Sequence, residues 1–216
     1  NNFVSSGSLD AVLKRFDVTF ITLPDVVPDG YQHTCINASA MNKYLTLLYS
    51  MLGFLSMGRF SDRSSTFPLK YKYLFFKKLP VLLKPLVRLL TVFGVYDFFL
   101  FFAKLFLGRN AEIKQILLSQ DPDLVMIVSG FSDAFSLETL AVCKRLKLNN
   151  FLFMANWDNV ASKGVLTHLP DVMCVWGEQT KDQAVKIHGM CERRVFVLGS
   201  PQFEVYREQK ANSGAR

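Results

Sequence analysis

Leu124-Val125-Met126-Ile127-Val128, a helical segment over 136–146, and then Phe151-Leu152-Phe153-Met154-Ala155 decide the fold. Two short apolar runs bounded by turn residues predict strands buried on both faces. The segment between them is long enough for one crossover helix, with Ser136 as its cap and Glu138 in its first turn. The pattern repeats downstream. A strand is expected over 172–176 (VMCVW), a helix over 178–188 closed by Gly189, and a strand over 195–198. Upstream, 111–119 reads as a helix, 17–23 (DVTFITL) as a strand, and 2–15 as a loop and helix capped from Ser6, Gly7 or Ser8. Strands alternating with helices predict an α/β fold, a Rossmann-like parallel sheet with helices on both faces. One further strand is expected before Asn1.

Such sheets bind ligands beyond the carboxyl ends of their strands. Four loops qualify: 24–34, 129–135, 156–164 and 199–203. The richest is Asn156-Trp157-Asp158-Asn159-Val160-Ala161-Ser162-Lys163-Gly164. The amides of Asn156 and Asn159, the Ser162 hydroxyl and the Asp158 carboxylate suit hydroxyl groups, the Lys163 ammonium suits phosphate, and Trp157 is a further candidate for substrate binding. Asp158 is the first candidate for a general base on an acceptor hydroxyl. The same residues equally suit an Asx-turn, with Trp157 filling the core. In 129–135, Gly130 allows backbone amides to face a ligand, and Asp133 is the second candidate base. In 199–203, Ser200 and Gln202 are binding candidates, although Gly199 and Pro201 alone would make a tight turn. His168, near Pro170, is a weaker candidate base, and His188 reads as a cation capping its helix. No P-loop, GxGxxG or GxSxG is present.

The segment 40–110 departs from this texture. Apolar residues at Met41, Tyr44, Leu45, Leu48, Leu52 and Leu55 predict a helix over 40–57. Over 67–107, Phe and Leu alternate with Lys70, Lys72, Lys77, Lys78, Lys84, Arg88 and Lys104, and Pro80 and Pro85 divide the run. Most of the 20 Phe lie between Phe54 and Phe106, and the positive charge of a chain with net charge +7 is densest from Arg59 to Arg109. Aliphatic and aromatic residues dominate the polar ones, which points to an anionic membrane surface and away from nucleic acid. Three placements stay open for 67–107: interfacial, spanning, or buried as a helical hairpin. Cys35, Cys143, Cys174 and Cys191 are too widely spaced for a zinc site and read as free thiols, so no metal is expected. The chain divides into 1–39, the start of the Rossmann-like domain; 40–110, a helical insertion; 111–206, the remainder; and 207–216, a tail or linker.

Several of these residues also carry a resemblance. Trp157-Asp158-Asn159 with Ser162-Lys163-Gly164 resembles the SWDN…(T/S)KG motif of GT-B glycosyltransferase-like proteins of bacterial surface-polysaccharide biosynthesis, related to the CDP-glycerol glycerophosphotransferase-like group. Pro170-Asp171, Val175-Trp176-Gly177-Glu178, Gln183-Ala184, His188-Gly189, Arg194-Val195 and Gly199-Ser200-Pro201-Gln202-Phe203 follow in the order of its PD…VWSE…A…HG…RV…TGAPQFD run. Asn2-Phe3-Val4 with Ser6-Gly7 resembles its NF…SG entry. The likeness covers 1–30 and 111–206. Asn156 stands where the motif has Ser, and Glu204 where it often has Asp. The resemblance implies the N-terminal domain of a GT-B fold and the acceptor-binding half of a transferase. The acceptor would be a carbohydrate or lipid-linked molecule. No cofactor is expected in this half; a nucleotide-activated donor would be held by a second, C-terminal domain outside this chain. The expected location is cytoplasmic, peripheral at the inner face of the membrane. The alternative is a non-catalytic, membrane-associated Rossmann-like binding module.

Overall fold

The computed structural model describes residues 10–22, 33–35, 42–92, 94–129, 131 and 133–200. The chain forms two compact units: Asn1–Ala40 with Gly199–Arg216, and Met41–Leu198. In the first, helix α1 (Asp10–Leu13) precedes strand β1 (Phe20–Thr22), which lies within the expected strand 17–23 and pairs in parallel with β2 (His33–Cys35). The sequence gives no sign of β2, because three residues after a turn-rich stretch are too few to show a period. The expected caps at Ser6, Gly7 and Ser8, the turns over 24–30, and the residues after 200 lie outside the described residues.

The second unit is built on a four-stranded, all-parallel sheet in the order β3 (Val125–Ser129), β4 (Asn150–Met154), β5 (Val172–Val175), β6 (Val195–Val197). This is the α/β architecture expected from the alternation of elements. In the two inner strands consecutive residues are buried, Leu152 to Met154 and Met173 to Val175, so both faces are covered. The outer strands are partly open, with Val128, Phe196 and Val197 exposed.

Helix α7 (Ala134–Leu146) makes the β3–β4 crossover. Its cap is Asp133, whose carboxylate accepts from the Ser136 amide at 2.7 Å, and not Ser136 as the sequence suggested. Glu138 therefore sits a full turn into the helix and is completely buried. It accepts from the Tyr49 hydroxyl (2.7 Å) and from the amides of Gly108 (2.9 Å) and Asn110 (3.0 Å). At the amino ends of the strands, Asp171 accepts from the Asn150 amide and side chain and from Lys144, so it fastens β5 to β4 and α7. At the carboxyl ends, the Trp176 indole donates to the Met154 carbonyl at 2.9 Å.

The segment 42–107 is part of this unit. Asn42 caps α2 (Lys43–Arg59), and the helix puts Tyr49 and Leu52 into the core over the sheet. Then follow α3 (Thr66–Tyr73) with a π-helical extension (Leu74–Lys78), a 3-10 turn (Val81–Leu83) after Pro80, α4 (Lys84–Leu90), α5 (Val95–Phe106), and α6 (Ala111–Gln120), capped by Asn110. Leu55, Phe75, Val87 and Tyr96 form a second small core between α2 and these helices. Phe54 stacks on Tyr71 at 5.0 Å, and Phe60 meets Tyr96 edge-on at 5.6 Å. No single helix among the described residues is long and apolar enough to cross a membrane. Val81–Leu90 and Val95–Phe106 reach that length only as a pair, bent by 93°.

Candidate functional site

The loop after β4 folds into one helical turn, α8 (Asn159–Ser162), with Asp158 at its N-cap. The Ser162 hydroxyl donates to Asp158 Oδ2 at 3.1 Å and closes the turn on itself. The carbonyls at its far end are taken by the helical segment 42–107: Ser64 donates to Ala161 O at 2.7 Å, and the Lys70 ammonium to Ser162 O at 2.9 Å. Next, Gly164 adopts a left-handed conformation (φ 92°) against α2. A β-carbon there would stand 2.6 Å from Gly53 O, and one at Gly53 would stand 3.3 Å from Lys163 O. Only glycine fits position 164. Ser56 seals the approach, donating to Gly53 O and accepting from the Val165 amide.

This packing leaves a cavity of about 570 Å3. Its walls come from α2 (Gly53, Phe54), α3 (Leu69, Lys70, Tyr73) and residues 162–167, and its floor from Phe131 and Leu137. Phe131, at the carboxyl end of β3, is buried at φ 63°, a left-handed conformation disfavoured for a bulky side chain. Lys70 and Lys163 both line the cavity. Burial first, and then the Lys163 charge, lower the Lys70 ammonium below its usual range, while Asp158 pulls the other way. Asp158, Ser162, Lys163 and Lys70 thus form one polar cluster beyond the end of a central strand.

The other sequence candidates divide. Asn156 is exposed and contributes its carbonyl to the turn, accepting from the Asn159 amide. Trp157 is 63% exposed and does not fill the core. Asn159 is buried, with Nδ2 meeting no hydrogen-bond partner among the described residues. Asp133 is spent on its cap. Ser200 belongs to the first unit, and Gly130 and Gln202 lie outside the described residues. Lys70 was not a candidate, because nothing in the sequence ties a lysine 88 positions upstream to the loop of Asp158.

His188 is not a capping cation. Its ring is buried, accepting from the Leu166 amide at Nδ1 (3.1 Å) and bonding Val160 O at Nε2 (2.8 Å). Burial lowers its pKa to about 4, so the ring is neutral and acts as a brace between α8 and the chain after it. His168 lines a second, more open cavity of about 610 Å3 together with Lys104, Lys144 and Arg194. Burial, and then the charges of Lys104, Arg145 and Lys144, lower its pKa to about 4. Among the described residues, no three His, Cys, Asp or Glu side chains gather as metal ligands. Cys143 and Cys174 are free and buried, and Cys191 is free and exposed.

Compared with known proteins, the chain matches no family model, no curated protein and no solved structure.

Proposed function

We propose that this chain is the acceptor-binding half of a GT-B-type glycosyltransferase or glycerophosphotransferase, held at an anionic membrane surface on the cytoplasmic side. The observation that carries the reading is the cluster of Asp158, Ser162, Lys163 and Lys70 beyond β4, where a parallel sheet presents its ligand. Asp158 would take the proton of an acceptor hydroxyl, and the two ammonium groups would hold a phosphate. The donor would be nucleotide-activated and bound by a second domain. The membrane part of the reading rests on α5, which is apolar on two sides. Tyr96, Phe99, Leu100 and Ala103 pack inward, while Phe98, Phe101, Phe102, Leu105 and Phe106 form an exposed stripe at helical spacing.

A second reading, a non-catalytic membrane-associated binding module, is favoured by a different observation. Four residues of the family resemblance have structural work in this chain: Asp158 in its turn, Gly164 against α2, Asp171 between strands, and Trp176 on Met154. The test is Asp158→Asn in the full-length protein, assayed for transfer and for thermal unfolding. Loss of one partly exposed hydrogen bond costs about 1 kcal/mol. Transfer falling by at least about a hundredfold with a small change in Tm supports the base. Transfer that persists removes Asp158 as the base and moves that role to Asp133 or His168, whereas transfer absent in the parent protein with every donor class tried leaves the binding module.

A further inference from the structure

We propose that the cavity between α2, α3 and residues 162–167 binds a single-chain anionic amphiphile, its alkyl chain on the Phe54, Phe131 and Leu137 side and its phosphate on Lys70 and Lys163. The inference holds under either reading above, since it concerns what the cavity takes up and not what is done to it.

Three observations carry it. The cavity, at about 570 Å3, falls within the range of about 300–1,000 Å3 usual for small-molecule sites. Its lining is mostly aliphatic and aromatic, which suits a hydrocarbon and would leave a sugar's hydroxyls without partners. The exceptions are concentrated: two lysines whose charges act on each other, with the Ser162 and Thr167 hydroxyls among the remaining polar groups. Two like charges on an apolar cavity are stabilised by an anion between them, and a phosphate has the oxygens to accept from both. The entrance is marked by Leu69 (71% exposed) and Tyr73 (57% exposed) on α3. That places it beside the exposed apolar side chains of the same segment, Phe76 among them, where an amphiphile would be concentrated.

The test is calorimetric titration of the full chain with dodecyl phosphate below its micellar concentration, with dodecanol and inorganic phosphate as comparison probes. Saturable binding of one dodecyl phosphate per chain is expected. Dodecanol and inorganic phosphate should each bind at least about tenfold more weakly, since each lacks half of the recognised chemistry. The double variant Lys70→Gln/Lys163→Gln should weaken dodecyl phosphate by about tenfold or more while dodecanol binding is unchanged. Leu69→Asp, at an exposed position that the fold does not require, should weaken both alkyl probes. If the double variant fails to fold, Lys163→Gln and Leu69→Asp decide the matter. Non-saturating uptake of many molecules, equal affinity for inorganic phosphate, or affinity indifferent to the lysines in a folded variant overturns the proposal. Because no donor enters the measurement, failed transfer with intact amphiphile binding counts against the transferase reading alone.

Discussion

Glu138 carries three donors in a site with no solvent to replace it. Burial, followed by the charge and hydrogen bond of Glu138, raises the Tyr49 hydroxyl well above its ordinary pKa, so it stays a donor. Glu138→Ala should therefore destabilise the chain by at least about 3 kcal/mol, because it strands a buried hydroxyl and two amides. Urea unfolding checks this, and a loss under about 1 kcal/mol would mean that water reaches the site. None of this was legible in the sequence, where Glu138 looked like an ordinary first-turn carboxylate. Its partners lie 89, 30 and 28 positions away. Asp158 was legible as a turn residue, but the work of Gly164 was not. The turn that Asp158 closes is local and could be anticipated, whereas the need for glycine at 164 arises from Gly53 and Ser56 on a distant helix.

Among the elements, the strands and crossover helices after residue 110 were read correctly because each shows an uninterrupted apolar run or one helical stripe. Helix α2 was found too, but its place in the sheet core was not, since periodicity gives a face and not a partner. The helix before Gly189 ends in a π-turn (Ala184–His188), which carries His188 inward to brace α8. That changes how the fold responds to acid. With its folded pKa lowered from 6.5 to about 4, His188 binds a proton more readily in the unfolded chain. Between those values the unfolded state holds more protons, so stability rises with pH and is lost as pH falls from about 6.5 toward 4. The size is on the order of 3 kcal/mol. Chemical denaturation across pH 4 to 7 should show that slope, and His188→Gln should flatten it while lowering stability throughout. An unchanged slope in the variant would assign the acid sensitivity to other groups, His168 first among them.

For the molecule as a body, the question is what becomes of an apolar surface that folding leaves uncovered. Leu82 is 91% exposed and Val81 75%, and the α5 stripe adds four phenylalanines. Lys72, Lys77, Lys78, Arg88 and Arg109 lie exposed in the same segment. Lys84 and Arg88 sit over the Phe75 ring, within 5.8 Å and 5.3 Å of its centroid, and so hold positive charge close to the apolar side chains. An apolar patch rimmed by cations fits the boundary between headgroups and acyl chains, and it fits pure hydrocarbon poorly. The sequence already showed the ingredients over 67–107 but left three placements open. The bend of 93° between the two most apolar helices argues against a straight span, and the exposed stripe on α5 shows that the hairpin is only half buried. Binding to vesicles containing phosphatidylglycerol should follow, stronger than to phosphatidylcholine alone and weakened by salt. Burying a phenylalanine contributes about 1.5–3 kcal/mol, so Phe101→Ser/Phe106→Ser should weaken vesicle binding by at least about tenfold. Both side chains are exposed, so Tm should hardly move, and co-sedimentation with a parallel melt separates the two effects. Binding that depends on charge but not on these phenylalanines would place the chain on the headgroups alone, with the apolar stripe reserved for a protein partner.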